Sequence, residues 1–496
     1  MTEPGVCLVL TGPTIDDCQR QLDQSRPHID LAEVRADLLD PSAWAGLNAF
    51  SRSAGLPLIL TLRQPQDGGR WSGSAEERRG FFQTALGGAW TWFDLEDDQR
   101  LPDIEAAWLG RGGRLVISFH SFDGVASGWA ERLRAADAPG VTAKAAVSPK
   151  GSVEFLRFVA ELQALSWEGA VGDGYVALAM GGFGFASRVL AARLGSRWTY
   201  ASAPGQVVAP GQTDPATLQN VYRFRQQGAD TPVYGIVGNP VFHSKSPGIH
   251  NPALTALNLP GTYIPFLADE LDAFFAVCDR LGVRGLSCTI PFKEAVLPHL
   301  AQSTDAVTAI RACNTLWRRP GGAWEGDNTD APGFLSPLAD LVGPGRLVGL
   351  RATVVGTGGA ARGVVWALKQ AGVKMVVLGR TPAKANALAQ DFDIEWAPLV
   401  PESRPVVESH AELIVQTTSV GLGADGQDPL AWYEFTGREI AYDIIYSPRW
   451  TPFLTRAKQA GCRVLFGQDM LVGQAFGQFE RFTGLPYPKH ALRLQE

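Results

Sequence analysis

Short apolar runs recur along the first 200 or so positions and alternate with segments whose apolar residues return every three or four places. The runs fall at 7–12, 29–35, 57–63, 92–96, 114–120, 141–147, 175–181 and 198–203. Rich in Val, Ile, Leu and aromatics, they predict strands, and stretches such as 75–86 and 153–166 predict helices. Eight strand–helix units in about 225 residues predict a (β/α)8 TIM barrel over 1–227, with a last helix at 214–227. GADTP at 228–232 resists helix continuation and reads as a linker. A new strand at 233–237 opens a second α/β part made of two lobes. One covers 233–340 and the other, 341–467, carries a dinucleotide signature. A helix at 470–482 could return to the first lobe, so that 468–496 completes it.

Composition narrows the partners. The chain has 496 residues, 45% hydrophobic and 19% charged, which suits globular domains and is too long for one core. A net charge of -6 and the lack of a basic block argue against nucleic acid. No apolar run reaches bilayer length, so no membrane is expected. The opening MTEPGVCLVLTG has neither a basic leader nor a transit pattern and reads as cytoplasmic. Six cysteines, at 7, 18, 278, 288, 313 and 462, form no CxxC pair and are expected as buried free thiols. No HExxH or similar pair occurs, and no metal is expected. The expected partners are small-molecule substrates. Oligomeric state stays open.

Unusual polar residues sit at or near the ends of the barrel strands: Glu33, Arg35, Arg63, Glu96, His120, Met180 and Ser202. In this fold the C-terminal rim is where sites are built. Lys144, in VTAKAAV, is mid-strand instead. It either snorkels outward or points into the barrel. Pointing inward, a desolvated amine is a nucleophile that condenses with a ketone to an iminium, an electron sink. His120 caps or packs, or moves a proton. Arg35, Arg63 and Arg188 are either surface arginines or forks for a carboxylate.

AEVRADLLD, LILTLRQPQDGG, FDLE, ISFH, AKAAVSPKG, MGGFGFASR and ASAPGQ follow one another over 5–225. In this order they resemble the class I 3-dehydroquinate dehydratases. The resemblance implies a Schiff base on Lys144 and a proton shuttle at His120. It implies substrate contacts from Glu33, Arg35, Arg63, Met180 and Arg188, and from Ser202, Ala203 and Gln206, with Tyr200 where an aromatic is expected. The family usually has Glu where Asp67 stands, to orient the histidine. The shorter side chain implies a looser hold on His120 or a bridging water.

RATVVGTGGAARGVVWALKQAG at 351–372 reads as a strand, a Gly-rich turn and a helix, with a second strand, KMVVLGR, at βαβ spacing. Gly356, Gly358 and Gly359 allow a tight turn and close approach of a pyrophosphate, and Ala361 stands at the third glycine. The second strand ends in Gly379, Arg380 and Thr381 rather than an acid, which favours the 2′-phosphate of NADP. Lys293 and Asp330 either are solvated or pair to serve a carbonyl oxygen.

VYGIVGNPVFHSKSPGIHN, TIPFKE, ACNTL, GDNTD, VVGTGGAAR, GRT, YDIIYSP and GQDMLVGQAFGQFE, over 233–485, resemble the shikimate dehydrogenases. The resemblance implies a catalytic Lys293–Asp330 dyad, carboxylate binding by Ser244 and Ser246, and hydroxyl binding by Thr289, Asn314 and Gln474. It places Tyr446 on the substrate. The expected cofactor set is Gly356, Gly358, Gly359, Ala360, Arg380, Thr381, Lys384, Thr417 and Gly467. Three residues depart from the family: Ser287 and Gln416 each replace a frequent Asn, and Gly379 replaces the usual Asn of NRT.

Together the resemblances imply two consecutive steps, dehydration of 3-dehydroquinate and NADPH reduction of 3-dehydroshikimate, in a fusion order like that of plant enzymes. The alternatives are a catabolic quinate/shikimate dehydrogenase using NAD, a metabolite-sensing regulator, or one inactive head. Arg380 and the two serines speak against the first. Retention of Lys144, His120, Lys293 and Asp330 speaks against the second.

Overall fold

The structure, a computed structural model, describes residues 3–206, 211–423 and 426–492. Contacts divide the chain into two compact units, Met1–Arg284 and Gly285–Glu496.

In the first unit eight parallel strands form a barrel: β1 Gly5–Leu10, β2 Leu31–Arg35, β3 Leu58–Thr61, β4 Trp92–Glu96, β5 Arg114–Ser121, β6 Val141–Val147, β7 Tyr175–Ala179 and β8 Trp198–Ser202. The ladder runs β7-β6-β5-β4-β3-β2-β1-β8. Among the described residues no ladder joins β7 to β8. Ser196 bridges there instead, its hydroxyl meeting Ala177 N at 2.9 Å and Ala177 O at 3.1 Å. Arg197 N donates to Tyr175 O at 2.9 Å. Backbone groups left by the gap are thus satisfied.

A strand sends alternate side chains to one face. The first inward layer is apolar: Leu31, Ile59, Trp92, Val116, Val176 and Trp198 are all buried together. Two residues on, the inward positions become Glu33, Thr61, Asp94, Ser118 and Lys144, all buried. The barrel therefore changes from an apolar plug to a polar layer within one step of the strand period.

The expected helix 214–227 is shorter, Pro215–Asn220, with a turn at Phe224–Gln226. Arg223 breaks it, with φ 56° and a buried guanidinium that donates to Gly261 O at 2.7 Å. The unit also takes in β9 Val233–Gly238 and β10 Thr262–Leu267, a parallel pair. These pack on the barrel's helices. Ser152 N donates to Asp269 Oδ1 at 2.8 Å, and Asp269 N donates to Ser152 Oγ at 3.2 Å. Phe185 meets Phe242 edge-on, with centroids 5.4 Å apart. Compactness thus extends past the linker, because apolar and capping contacts cross it.

In the second unit β11 Val283–Cys288, β13 Thr315–Trp317, β14 Trp324–Asp327 and β12 Leu300–Ser303 are neighbours in that order. Six parallel strands follow: β15 Arg351–Val355, β16 Lys374–Gly379, β17 Glu395–Pro398, β18 Leu413–Gln416, β19 Ile440–Asp443 and β20 Arg463–Leu465. Their order, β17-β16-β15-β18-β19-β20, is the doubly wound dinucleotide fold, with its switch point between β15 and β18. The helix Gly467–Thr483 packs closely on the helix Asp330–Val342, where a Cβ on Gly333 would lie 2.4 Å from Gln474 N. All six cysteines are buried, and none is joined in a disulfide. Among the described residues no helix is long and apolar enough to cross a membrane.

Candidate active sites

Lys144 points inward and is 6% exposed, which resolves the alternatives left by its sequence. Its Nζ donates to Asp94 Oδ2 at 3.0 Å, stands 3.8 Å from Glu33 Oε1 and lies 4.5 Å from the centre of the Tyr200 ring. Arg63 reaches the same group, 2.8 Å from Asp94 Oδ2 and 2.9 Å from Glu96 Oε1. Arg78 pairs with the other oxygen of Glu96. Ser118 Oγ donates to Asp94 Oδ1 at 2.6 Å and Thr61 Oγ1 donates to Glu33 at 2.7 Å. Lys144, Arg63 and Arg78 face Glu33, Asp94 and Glu96, so charges balance and the buried oxygens are bonded. Burial alone would raise the Asp94 pKa, but Arg63 and Lys144 outweigh it and hold the carboxyl well below its usual range.

His120 Nδ1 lies 3.2 Å from Asp67 Oδ1. The shorter carboxylate makes the contact directly, without the bridging water that was one of the two alternatives. It does so because the turn Pro65–Asp67 follows β3 closely and Gly68, at φ 78°, folds the chain back under Phe122. Burial, with Arg63 and Lys144 nearby, pushes the His120 pKa well below 6.5. Burial raises Asp67 to about 6, against the pull of Arg63.

The cavity over this layer is lined by Glu33, Arg35, Arg63, Asp67, His120 and Lys144. Met180, Arg188 and Tyr200 face it too. Burial lowers Arg188 to about 10, which leaves it a cation at neutral pH. Arg35 is held by Asp37 at 2.9 and 2.8 Å. Ser202 and Ala203 are buried at the end of β8 and do not line the cavity. Gln206 accepts from Thr11 at 2.6 Å and Gln21 at 3.0 Å, and lines an adjoining hollow with Arg35 and Gly68. Asp94, Ser118, Asp37, Phe122 and Gln212 were not foreseen. The period-2 relation of Asp94 to Glu96 could have revealed the first.

In the second unit Lys293, in the turn after β11, donates to Asp330 Oδ2 at 2.6 Å. Burial would lower the Lys293 pKa, but the charge and hydrogen bond of Asp330 outweigh it and raise it. Asp330 opens the helix Asp330–Val342. Asn314 is 1% exposed; its Oδ1 accepts from Thr329 N at 2.8 Å and Thr315 Oγ1 at 2.7 Å. Its Nδ2 has no partner among the described residues. A buried amide with a saturated oxygen and an idle N–H donor suits a ligand hydroxyl. Thr289 and Tyr446 are half-buried, and Gln474 is buried on the helix Gly467–Thr483. Gln478, unforeseen, accepts from Ser287 at 2.7 Å and donates to Asn314 O at 3.2 Å. Ser244 and Ser246 belong to the first unit, where Ser246 N donates to Ser244 Oγ at 3.2 Å at the start of the helix Ser246–Ala256.

The nucleotide turn fits a pyrophosphate. A Cβ on Gly356, φ 122°, would lie 2.4 Å from Thr417 Oγ1, while Gly358 and Gly359 face open space at the start of the helix Gly359–Gln370. Ala360, Arg380, Thr381 and Lys384 are exposed, Arg380 and Thr381 directly after β16 and Lys384 in the first turn of the helix Pro382–Phe392. A Cβ on Gly379 would stand 2.7 Å from Thr357 Cγ2 and 2.9 Å from Ala385 Cβ, which accounts for the missing Asn. Gln416 organises the TTSVG loop, donating to Thr418 O at 3.1 Å and Val420 O at 2.9 Å. Gly467 is packed against Ile444 O, where a Cβ would come within 2.3 Å.

Residues 6–229 match the family described as type I 3-dehydroquinase, and residues 236–316 match the shikimate dehydrogenase substrate binding domain. The chain is 29% identical over 98% of its length to the bifunctional 3-dehydroquinate dehydratase/shikimate dehydrogenase, chloroplastic, of Arabidopsis thaliana, covering 83% of that protein. It is 37% identical to the NADP(+) shikimate dehydrogenase of Syntrophobacter fumaroxidans, over 52% of this chain and 90% of that one. A crystal structure of shikimate dehydrogenase from Aquifex aeolicus aligns with a TM-score of 0.49 and 34% identity, covering 53% of this chain and 97% of that chain.

Proposed function

The chain belongs to the shikimate dehydrogenase family through its second half and carries a type I 3-dehydroquinase domain before it, and on that premise we propose how its residues perform the two reactions. It dehydrates 3-dehydroquinate to 3-dehydroshikimate and reduces that product to shikimate with NADPH. The working parts are the barrel over 1–227, a substrate lobe over 233–340 completed by 468–496, and a nucleotide lobe over 341–467.

In the barrel, Lys144 Nζ attacks the substrate ketone, and water leaves as the iminium forms. Asp94, already paired with the ammonium at 3.0 Å, pairs with the iminium in turn, so no new charge is buried. The iminium acidifies the adjacent C–H. With His120 held neutral by its surroundings and Nδ1–H directed at Asp67, Nε2 takes that proton. The same imidazolium then protonates the departing hydroxyl, and water hydrolyses the imine. Arg35 and Arg188 hold the anionic substrate. The observation that carries this reading is the inward lysine bonded to Asp94 beneath a histidine–aspartate pair.

In the second head Thr289, Asn314, Gln474 and Tyr446 bind the hydroxyl face of the substrate. Lys293 donates a proton to the carbonyl oxygen, and Asp330 keeps it protonated at 2.6 Å. NADPH bound at Gly356–Gly359 supplies the hydride. Arg380, Thr381 and Lys384 hold its 2′-phosphate, with Ala360, Thr417 and Gly467 lining the site. The protein works on small molecules in the cytoplasm.

Incubation with 3-dehydroquinate and NADPH should yield shikimate and oxidise one NADPH per molecule. Borohydride added with 3-dehydroquinate should leave an adduct on the Lys144 peptide by mass mapping. Dehydration that persists without such an adduct rules out the lysine mechanism.

A further inference from the structure

β19 ends in Asp443, whose side chain is fully buried. Its two oxygens hold the two ends of the segment that follows. Oδ1 accepts from Ile445 N at 3.0 Å, and Oδ2 accepts from Thr451 Oγ1 at 2.7 Å. Thr451 in turn caps the helix Pro452–Gln459, accepting from Leu454 N at 3.3 Å. Between these ties lies the loop that carries Tyr446. Its first residue is fixed on two sides. Ile444 N donates to Gln416 O at 3.1 Å, and Ile444 O is pressed against Gly467, where the helix bearing Gln474 begins. The loop touches the substrate helix at one end and is closed by one carboxylate at the other.

We propose that Asp443 is a positioning residue of the dehydrogenase head, closing the 444–451 loop so that Tyr446 is presented to the substrate beside Gln474. This rests on the reading above that Tyr446 meets the substrate. Two hydrogen bonds to a single buried carboxylate fix a loop more firmly than two neutral ones, because each is charge-assisted. Among the described residues no cation pairs with Asp443. The charged group shown to act on it is Asp428, which is itself paired with Arg456 at 2.8 Å. Burial, with Asp428 adding to it, raises the Asp443 pKa to about 6, against the hydrogen bonds from Ile445 and Thr451. The carboxylate form, which accepts both bonds, is therefore lost as pH falls through 6. One acceptor then becomes a donor, and the loop loosens.

The test is steady-state kinetics of the full chain with shikimate and NADP. Asp443→Asn keeps one acceptor and turns an amide towards Thr451. The KM for shikimate should rise about tenfold, kcat should stay within about threefold, and the KM for NADP should not move. Wild-type KM for shikimate should climb as pH falls from 7 to 5, and the variant's should be flat. Thr451→Val should raise the same KM, and Thr451→Ser should restore it; these two decide the matter if Asp443→Asn does not fold. An unchanged KM for shikimate, or a fall in kcat with both KM values unmoved, overturns the proposal. Absence of shikimate oxidation in the wild-type chain would instead defeat the functional reading itself.

Discussion

Asp67 reaches His120 at 3.2 Å although it is one methylene shorter than the glutamate usual there. The contact costs the carboxylate solvation, and its pKa rises to about 6 while that of His120 falls. At pH 7 and above the carboxylate accepts Nδ1–H and leaves Nε2 free as the base. As pH falls through 6 the carboxyl gains a proton and the tautomer is no longer fixed. Dehydratase kcat/KM should therefore fall on the acid side with a midpoint near 6. Asp67→Asn should lower the plateau about tenfold and remove that limb, because an amide does not titrate. A pH–rate profile of both proteins checks this; a limb that survives in the variant belongs to another group.

At the scale of an element, the turn after β15 and the end of β16 form one cofactor edge. Gly379 is glycine because Thr357 of the turn occupies the space a side chain would need. That packing leaves Arg380 exposed at the strand end, beside Thr381 and Lys384. A 2′-phosphate carries close to two negative charges where NADH has neutral hydroxyls. A charge-assisted pair contributes about 1.5–3 kcal/mol. Arg380→Ala should thus raise the KM for NADPH about tenfold or more and change that for NADH little. Equal efficiency with both cofactors in the unmutated chain would contradict the role given to Arg380.

At the scale of the molecule, each head holds its own charged machinery. Lys144, Asp94, Arg63 and His120 bond within the barrel, and Lys293 and Asp330 bond within the second unit. Among the described residues, the bonds given for each set stay within its own unit. Lys144→Ala should abolish dehydration and leave NADPH reduction of 3-dehydroshikimate within about twofold, since a change without shared partners acts independently. Lys293→Ala should do the reverse. The two assays run separately on each folded variant decide it: joint loss would show that the heads work as one.

The strand period, the Gly-rich turn with its βαβ spacing and the order of motifs are local properties, so the barrel and the nucleotide fold were legible along the chain, and the candidate site residues could be named from it. Position on a strand also fixed that Glu33 and Arg35 share a face. What the chain could not disclose depends on residues far apart in sequence. Whether Lys144 faces inward is decided by the register that sets it beside Ser118 of β5, and its partner Asp94 lies 50 positions away. The reach of Asp67 depends on how a turn folds under Phe122. The idle amide of Asn314 emerges only once Thr315 and Thr329 have saturated its oxygen. Periodicity and turn chemistry act over a few residues, so the sequence states them; charge pairing and burial act through space, so only the folded chain settles them.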